Sequence, residues 1–153
     1  MSLSKIFAWA VSDHLDDYKS TELVLLKGHL LLEVAIENTL SMLGSDTQRS
    51  CDLSFHRKLL MLERVQAEVS PEIARAIEHL HALNQIRNRL AHEYRFVGGS
   101  QSIDEWTRAV LADFPGTKIQ RHTFRTKFIQ ALGALGEVVV SLGKDPRPDP
   151  GCA

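Results

Sequence analysis

Residues 21–43 constrain the fold more than any other stretch of this chain. After Ser20-Thr21-Glu22, a hydroxyl cap with an acid in the first turn, comes LVLLKGHLLLEVAIENTLSML, closed by Gly44. Such a start and stop define a helix. Because its apolar residues run nearly all the way round, the helix is expected to be central and buried, with other helices built against it. Gly28 lies inside it at a cost of roughly 1 kcal/mol relative to alanine, a cost that the close approach of another helix would explain. Glu33 and Glu37 are spaced i,i+4 on one stripe. They read either as a solvated edge or, for one of them, as the carboxylate partner that a half-buried Arg87 requires.

The remaining segments repeat the helical period. Residues 3–17 place Ile6, Phe7, Trp9, Ala10, His14 and Leu15 along one side, and the acidic polar face of that segment favours core packing over a membrane surface. A polar stretch at 44–53 precedes a helix expected from Ser54 to Val69, with Phe55, Leu59, Leu62, Val65 and Val69 inward. Ser70-Pro71-Glu72 starts the next helix, 71–95, with an apolar stripe of Ile73, Ile77, Leu80, Leu83, Leu90 and Tyr94. Gly98-Gly99-Ser100 ends it. Residues 102–113 and 120–142 read as two further helices, and DPRPDPGCA (145–153) as a disordered tail. No strand pattern or repeat is present. The expected fold is all-α: an antiparallel bundle of five to six helices in one domain, residues 1–144, mostly antiparallel because the connections are short.

Charge and cysteine content narrow the function. The formal net charge is −1 over 153 residues, so no global field draws the chain to nucleic acid or lipid, and any such site must be a local basic patch. Cys51 and Cys152 have no metal-ligand spacing, which disfavours structural zinc and a disulfide framework. No 18-residue apolar run and no signal-like N-terminus is present, so no membrane association and a cytoplasmic location are expected.

Chemistry concentrates in HALNQIRNRLAHEYR, residues 81–95. Arg87, Asn88, Arg89, His92, Tyr94 and Arg95 fall within about two helical turns. At about 100° per residue, Asn88, His92 and Arg95 share a face with Asn84 and His81, whereas Arg87 stands about 140° away from His92. A histidine titrates near neutrality and serves as a general acid or base. An arginine offers a planar fork for phosphate oxygens. Together they suffice for RNA cleavage without metal: His92 assisting the 2′-OH or protonating the leaving 5′-oxygen, Arg87 stabilising the developing charge, Asn88 orienting one or the other. The bland alternative is a structural His and a solvated Arg stripe. Tyr94 is either a core residue with its hydroxyl at the rim or a platform for a base. His79 and His81 are expected at the surface. Lys118, Arg121, His122, Arg125 and Lys127 cluster further on, and Arg89, Arg95, Arg121 and Arg125 are the candidates for RNA-backbone contact.

The string RNRLAHEY (87–94) has the form R-x4-H-x-Y with Asn after the Arg. It resembles the signature of HEPN-domain proteins, most of all HEPN toxins paired with a nucleotidyltransferase antitoxin. That resemblance implies a HEPN-like helical fold and a homodimer in which two motifs form one composite site. It also implies a metal-independent endoribonuclease activity of a toxin–antitoxin or defence system, needing no cofactor, with RNA as substrate. On the same resemblance Tyr94 is a third kind of residue, one that a nucleotidyltransferase-type antitoxin modifies with AMP. The alternative within the family is a non-catalytic binding or regulatory module resembling the mannitol-operon repressor.

Overall fold

The computed structural model describes residues 10, 13–16, 18, 20–44, 53–65, 70–116 and 124–143. Five long helices carry these residues: α1 (Thr21–Met42), α2 (Phe55–Val65), α3 (Pro71–His92), α4 (Gly99–Asp113) and α5 (Phe124–Leu142). Residues 13–16 add one helical turn before α1, and no strand occurs among the described residues. The protein is an all-α helical bundle, as its periodicity dictates. Most of the segment expected as a first helix, 3–17, lies outside the described residues, as do the basic residues Lys118, Arg121 and His122 and the tail 145–153.

The helix starts are made as the sequence implies. Ser20 caps α1, its Oγ accepting from Leu23 N–H at 3.5 Å, and Ser70 caps α3, accepting from Ile73 N–H at 3.3 Å ahead of Pro71. Gly44, just past α1, adopts φ +86°. One contiguous core joins Leu25, Leu32, Ile36 and Leu40 of α1 to Leu59, Leu62, Leu80, Leu83, Ile103, Trp106, Val110, Phe128, Leu132 and Leu135. Trp106 Nε1–H donates to the His79 carbonyl at 2.8 Å, satisfying the indole inside that core.

Packing directions are mixed. Helix α3 runs antiparallel to α4, with Arg89 bonded to Ser102 at one end and Arg75 paired with Asp113 at the other. Helices α1 and α5, in contrast, run side by side in the same direction. Gly28 lies under Leu132, Thr39 Oγ1 donates to the Val139 carbonyl at 3.0 Å, and Met42 meets Gly143. Helix α2 likewise begins beside the first half of α1, where Phe55 lies on His29. The stretch between Met42 and Phe55 is long enough, at about 3.3 Å per extended residue, to return the chain along the helix. The antiparallel course expected from short connections therefore does not hold for these two pairs.

Three further sequence expectations change. Helix α1 is not buried all round, since Leu23, Leu30 and Val34 are 37%, 50% and 51% exposed along the side opposite the core. Its Gly28, however, does admit α5: a Cβ there would lie 2.5 Å from Leu132 Cδ1. Helix α3 stops at His92 rather than at 95, with Glu93 extended (φ −96°, ψ 126°). The chain then turns through Gly98 (φ +71°) and enters α4 at Gly99, earlier than 102. Arg89 fixes this turn by binding Glu93 Oε1, the Val97 carbonyl and Ser102 Oγ, each at 3.2 Å, with its guanidinium over the Phe96 ring. Four partners for one guanidinium outweigh the helical propensity of 93–95. No helix among the described residues is long and apolar enough to cross a membrane.

Phe96 packs against the α4 start so closely that a Cβ at Gly99 would lie 2.1 Å from its ring. Gly99→Ala is therefore expected to destabilise the protein by about 1–3 kcal/mol, the usual range for overpacking. Urea denaturation measures this, and an unchanged midpoint would contradict the tight turn.

Candidate functional site

Three helices meet around a cavity of about 380 Å³ lined by His29, Glu33, Ser54, Phe55, His56, Asn84, Arg87 and Asn88. Helix α1 contributes His29 and Glu33, the first turn of α2 with its cap contributes Ser54 to His56, and α3 contributes the rest. Arg87 and Asn88 are half-buried, and Arg87 Nη1 donates to Asn88 Oδ1 at 3.2 Å. The motif thus supplies this pocket with a cationic fork and an amide.

The rest of the motif stands elsewhere. His92 is exposed at the end of α3 and is not among the pocket-lining residues. That agrees with the helical offset between positions 87 and 92. Tyr94 is 98% exposed beyond the helix, which overturns its reading as a core residue. Arg95 is exposed and also past the helix end, so it does not share the Asn88–His92 face. Two of the proposed RNA-contacting arginines are committed within the chain: Arg89 to the turn described above, and Arg125 to the Tyr18 carbonyl at 2.6 Å and Asp16 at 3.2 Å. Arg121 lies outside the described residues.

Glu33 and Glu37 do not pair with Arg87. Both carboxylates close on Lys58, at 2.7 Å for Glu33 and at still closer range for Glu37. The physical reason is burial: Lys58 is 1% exposed, deeper than Arg87, and an ammonium there cannot stand without counter-charge. Burial lowers the Lys58 pKa, but hydrogen bonds and charge from the two glutamates outweigh it and hold the pKa above its ordinary value, so Lys58 remains charged. Among the described residues, Arg87 consequently has no carboxylate at ion-pair distance.

His29 is the pocket residue that sequence reasoning missed. It is 4% exposed, its ring lies 4.1 Å from that of Phe55, and its Nε2 meets Asn84 Oδ1 at 3.0 Å. Burial lowers its pKa below the usual 6.5; the Asn84 bond opposes this, Arg87 adds to it, Glu33 opposes and Lys58 adds. The signal was a lone histidine i,i+4 from Glu33 inside an apolar run. His81 and His79 are half-buried rather than free at the surface. His81 binds Glu63 at 3.3 Å beside the His56 ring, and His79 binds Asp113 at 2.8 Å.

Comparison with family models, with curated proteins and with solved structures finds no match for this chain.

The Lys58 cluster generates a stability ordering. Glu33→Gln combined with Glu37→Gln leaves a buried ammonium without counter-charge and should cost about 3–5 kcal/mol. Lys58→Met should cost less, because the carboxylates are 23% and 26% exposed and can turn to water. Guanidinium denaturation of the two variants tests the ordering, and its reversal would refute Lys58 as the buried member.

Proposed function

We propose that the protein is a metal-independent endoribonuclease resembling HEPN toxins, which acts as a homodimer. The observation that carries the reading is RNRLAHEY at the end of α3, with Arg87 and Asn88 opening on a pocket and Arg87 bound to no carboxylate among the described residues. A guanidinium beside an amide, with no carboxylate partner among the described residues, suits a phosphate diester. In this reading Arg87 stabilises the charge developing on phosphorus, Asn88 orients the phosphate, and His92 exchanges the proton on the 2′- or 5′-oxygen.

Separation of His92 from the Arg87 pocket within one chain supports a composite site, to which a second copy brings its own motif. The exposed stripe Leu23, Leu30 and Val34 on α1 gives such a dimer an apolar face. Tyr94, wholly exposed two residues past His92, is accessible to a nucleotidyltransferase-type partner that would transfer AMP to its hydroxyl. Arg95, exposed beside it, is left as the motif's remaining candidate for backbone contact.

The decisive experiment is cleavage of single-stranded RNA in excess EDTA by wild type, His92→Ala and Arg87→Ala. Wild type should cut and leave 2′,3′-cyclic phosphate ends, and loss of the acid/base should reduce the rate by about 10²–10⁴. Absence of cleavage by wild type, or equal cleavage by His92→Ala, would reject the nuclease. RNA binding that persists without cleavage would instead favour a regulatory or binding module.

Assembly is tested separately. Sedimentation should give a dimer at micromolar concentration with an interface of about 1,600 Å² or more. Leu30→Glu with Val34→Glu should yield a folded monomer; a wild-type monomer would remove the composite site.

A further inference from the structure

The pocket that holds Arg87 already contains two imidazoles, neither of them the one in the motif: His56 is exposed with its ring beside His81, and His29 is buried and held by Asn84. We infer that His29 is the proton-exchanging partner of a phosphate held by Arg87 in this pocket, and, resting on the nuclease reading, the general base of cleavage. Its placement has two causes. Asn84, one turn before Asn88 on α3, accepts from Nε2 and so keeps the proton on that nitrogen, leaving Nδ1 as the basic one. Phe55 packs on the ring face and fixes its plane. The ring is 4% exposed and lines the pocket beside Arg87 and Asn88.

The charged and titratable groups around the ring come from three helices: Glu33 on its own α1, His56 and Lys58 on α2, and Arg87 on α3. Glu33 is held by Lys58, so it is not free to take the proton. Burial, Arg87 and Lys58 all favour the neutral ring, which is the form a base needs at neutral pH. A phosphate bound at Arg87 cancels the charge of the guanidinium and favours the imidazolium. Proton uptake is thereby coupled to substrate.

In cleavage, Nδ1 takes the ribose 2′-OH proton as the 2′-oxygen bonds to phosphorus. The P–O5′ bond breaks, its electron pair leaves on the 5′-oxygen, and that oxygen takes a proton from His92 of the composite site. His29 then returns its proton to water, and His92 regains one from it. Asn84 is a positioning residue in this scheme, because it acts through the ring.

The test uses the full chain. Ring resonances of His29 are followed by NMR through a pH titration, with and without inorganic phosphate, in wild type and Arg87→Gln. Phosphate should move the His29 midpoint upward in wild type and leave it in place in Arg87→Gln. No movement in wild type, or equal movement in both, overturns the inference whether or not the protein cuts RNA. Where wild type cuts, the acid limb of kcat/KM should fall below the ordinary histidine value of 6.5. Asn84→Asp should shift that limb to higher pH, since a carboxylate beside the ring favours its charged form. His29→Gln, with its fold confirmed by circular dichroism, should lose about 10²–10⁴ in kcat. An acid limb unmoved by Asn84→Asp would make His29 a packing residue and leave the nuclease reading intact. Failure of cleavage alone would reject that reading and leave the phosphate titration to decide the role of His29.

Discussion

Lys58 is the constraint around which the α1–α2–α3 corner is arranged. An ammonium at 1% exposure is tolerable only with counter-charge, and α1 supplies it twice, through Glu33 and Glu37 one turn apart. The pairing fixes both the height and the rotation of α2 against α1, because a single Nζ must reach two carboxylates on one stripe. Apolar contacts alone would allow α2 to slide; the ion cluster gives it one register. Phe55, three residues before Lys58, is thereby set on His29.

That register has a consequence for the motif. With both glutamates taken by the lysine, Arg87 is left with only its neighbour Asn88 as a close partner among the described residues. An arginine in a half-buried position without a carboxylate is free to meet an external anion, and the cavity beside it gives room for one. The same corner places the imidazole of His29 and the amide of Asn84 around that space. Structural electrostatics and the proposed chemistry are therefore linked: the residue that stabilises the corner occupies the carboxylates that would otherwise claim Arg87.

At the other end of the motif, Arg89 decides the geometry. By gathering Glu93, the Val97 carbonyl, Ser102 and the Phe96 ring, it ends α3 at His92 and turns Tyr94 and Arg95 out to solvent. One arginine of the string is thus architectural and another is open to a ligand, although the two lie two positions apart and are chemically identical. Helical rotation separates them: Arg87 faces α1 and α2, while Arg89 faces the chain that follows.

How much of this was legible in the sequence follows from the range of the forces involved. Local physics determined the helices: the Ser20 and Ser70 caps, the stop at Gly44, the 3.6-residue apolar period of the α-bundle, and the need for Gly28 where another helix approaches. The motif residues Arg87, Asn88 and His92, and the angular separation of the first from the last, were likewise readable from spacing along one helix. Partner choice was not. Glu33 and Glu37 pair with Lys58, 29 positions short of the arginine expected to claim them, because burial depth ranks the two cations and depth exists only in the folded core. His29 and Asn84 are 55 positions apart, and no periodicity relates them. The parallel course of α1 and α5 depends on connections whose composition does not encode direction. What the sequence by itself determined were the elements and the chemistry they carry, since those depend on neighbours within about a helical turn; which charges neutralise each other and which stay free was decided by tertiary packing, since electrostatic partnership depends on distance and desolvation across the chain.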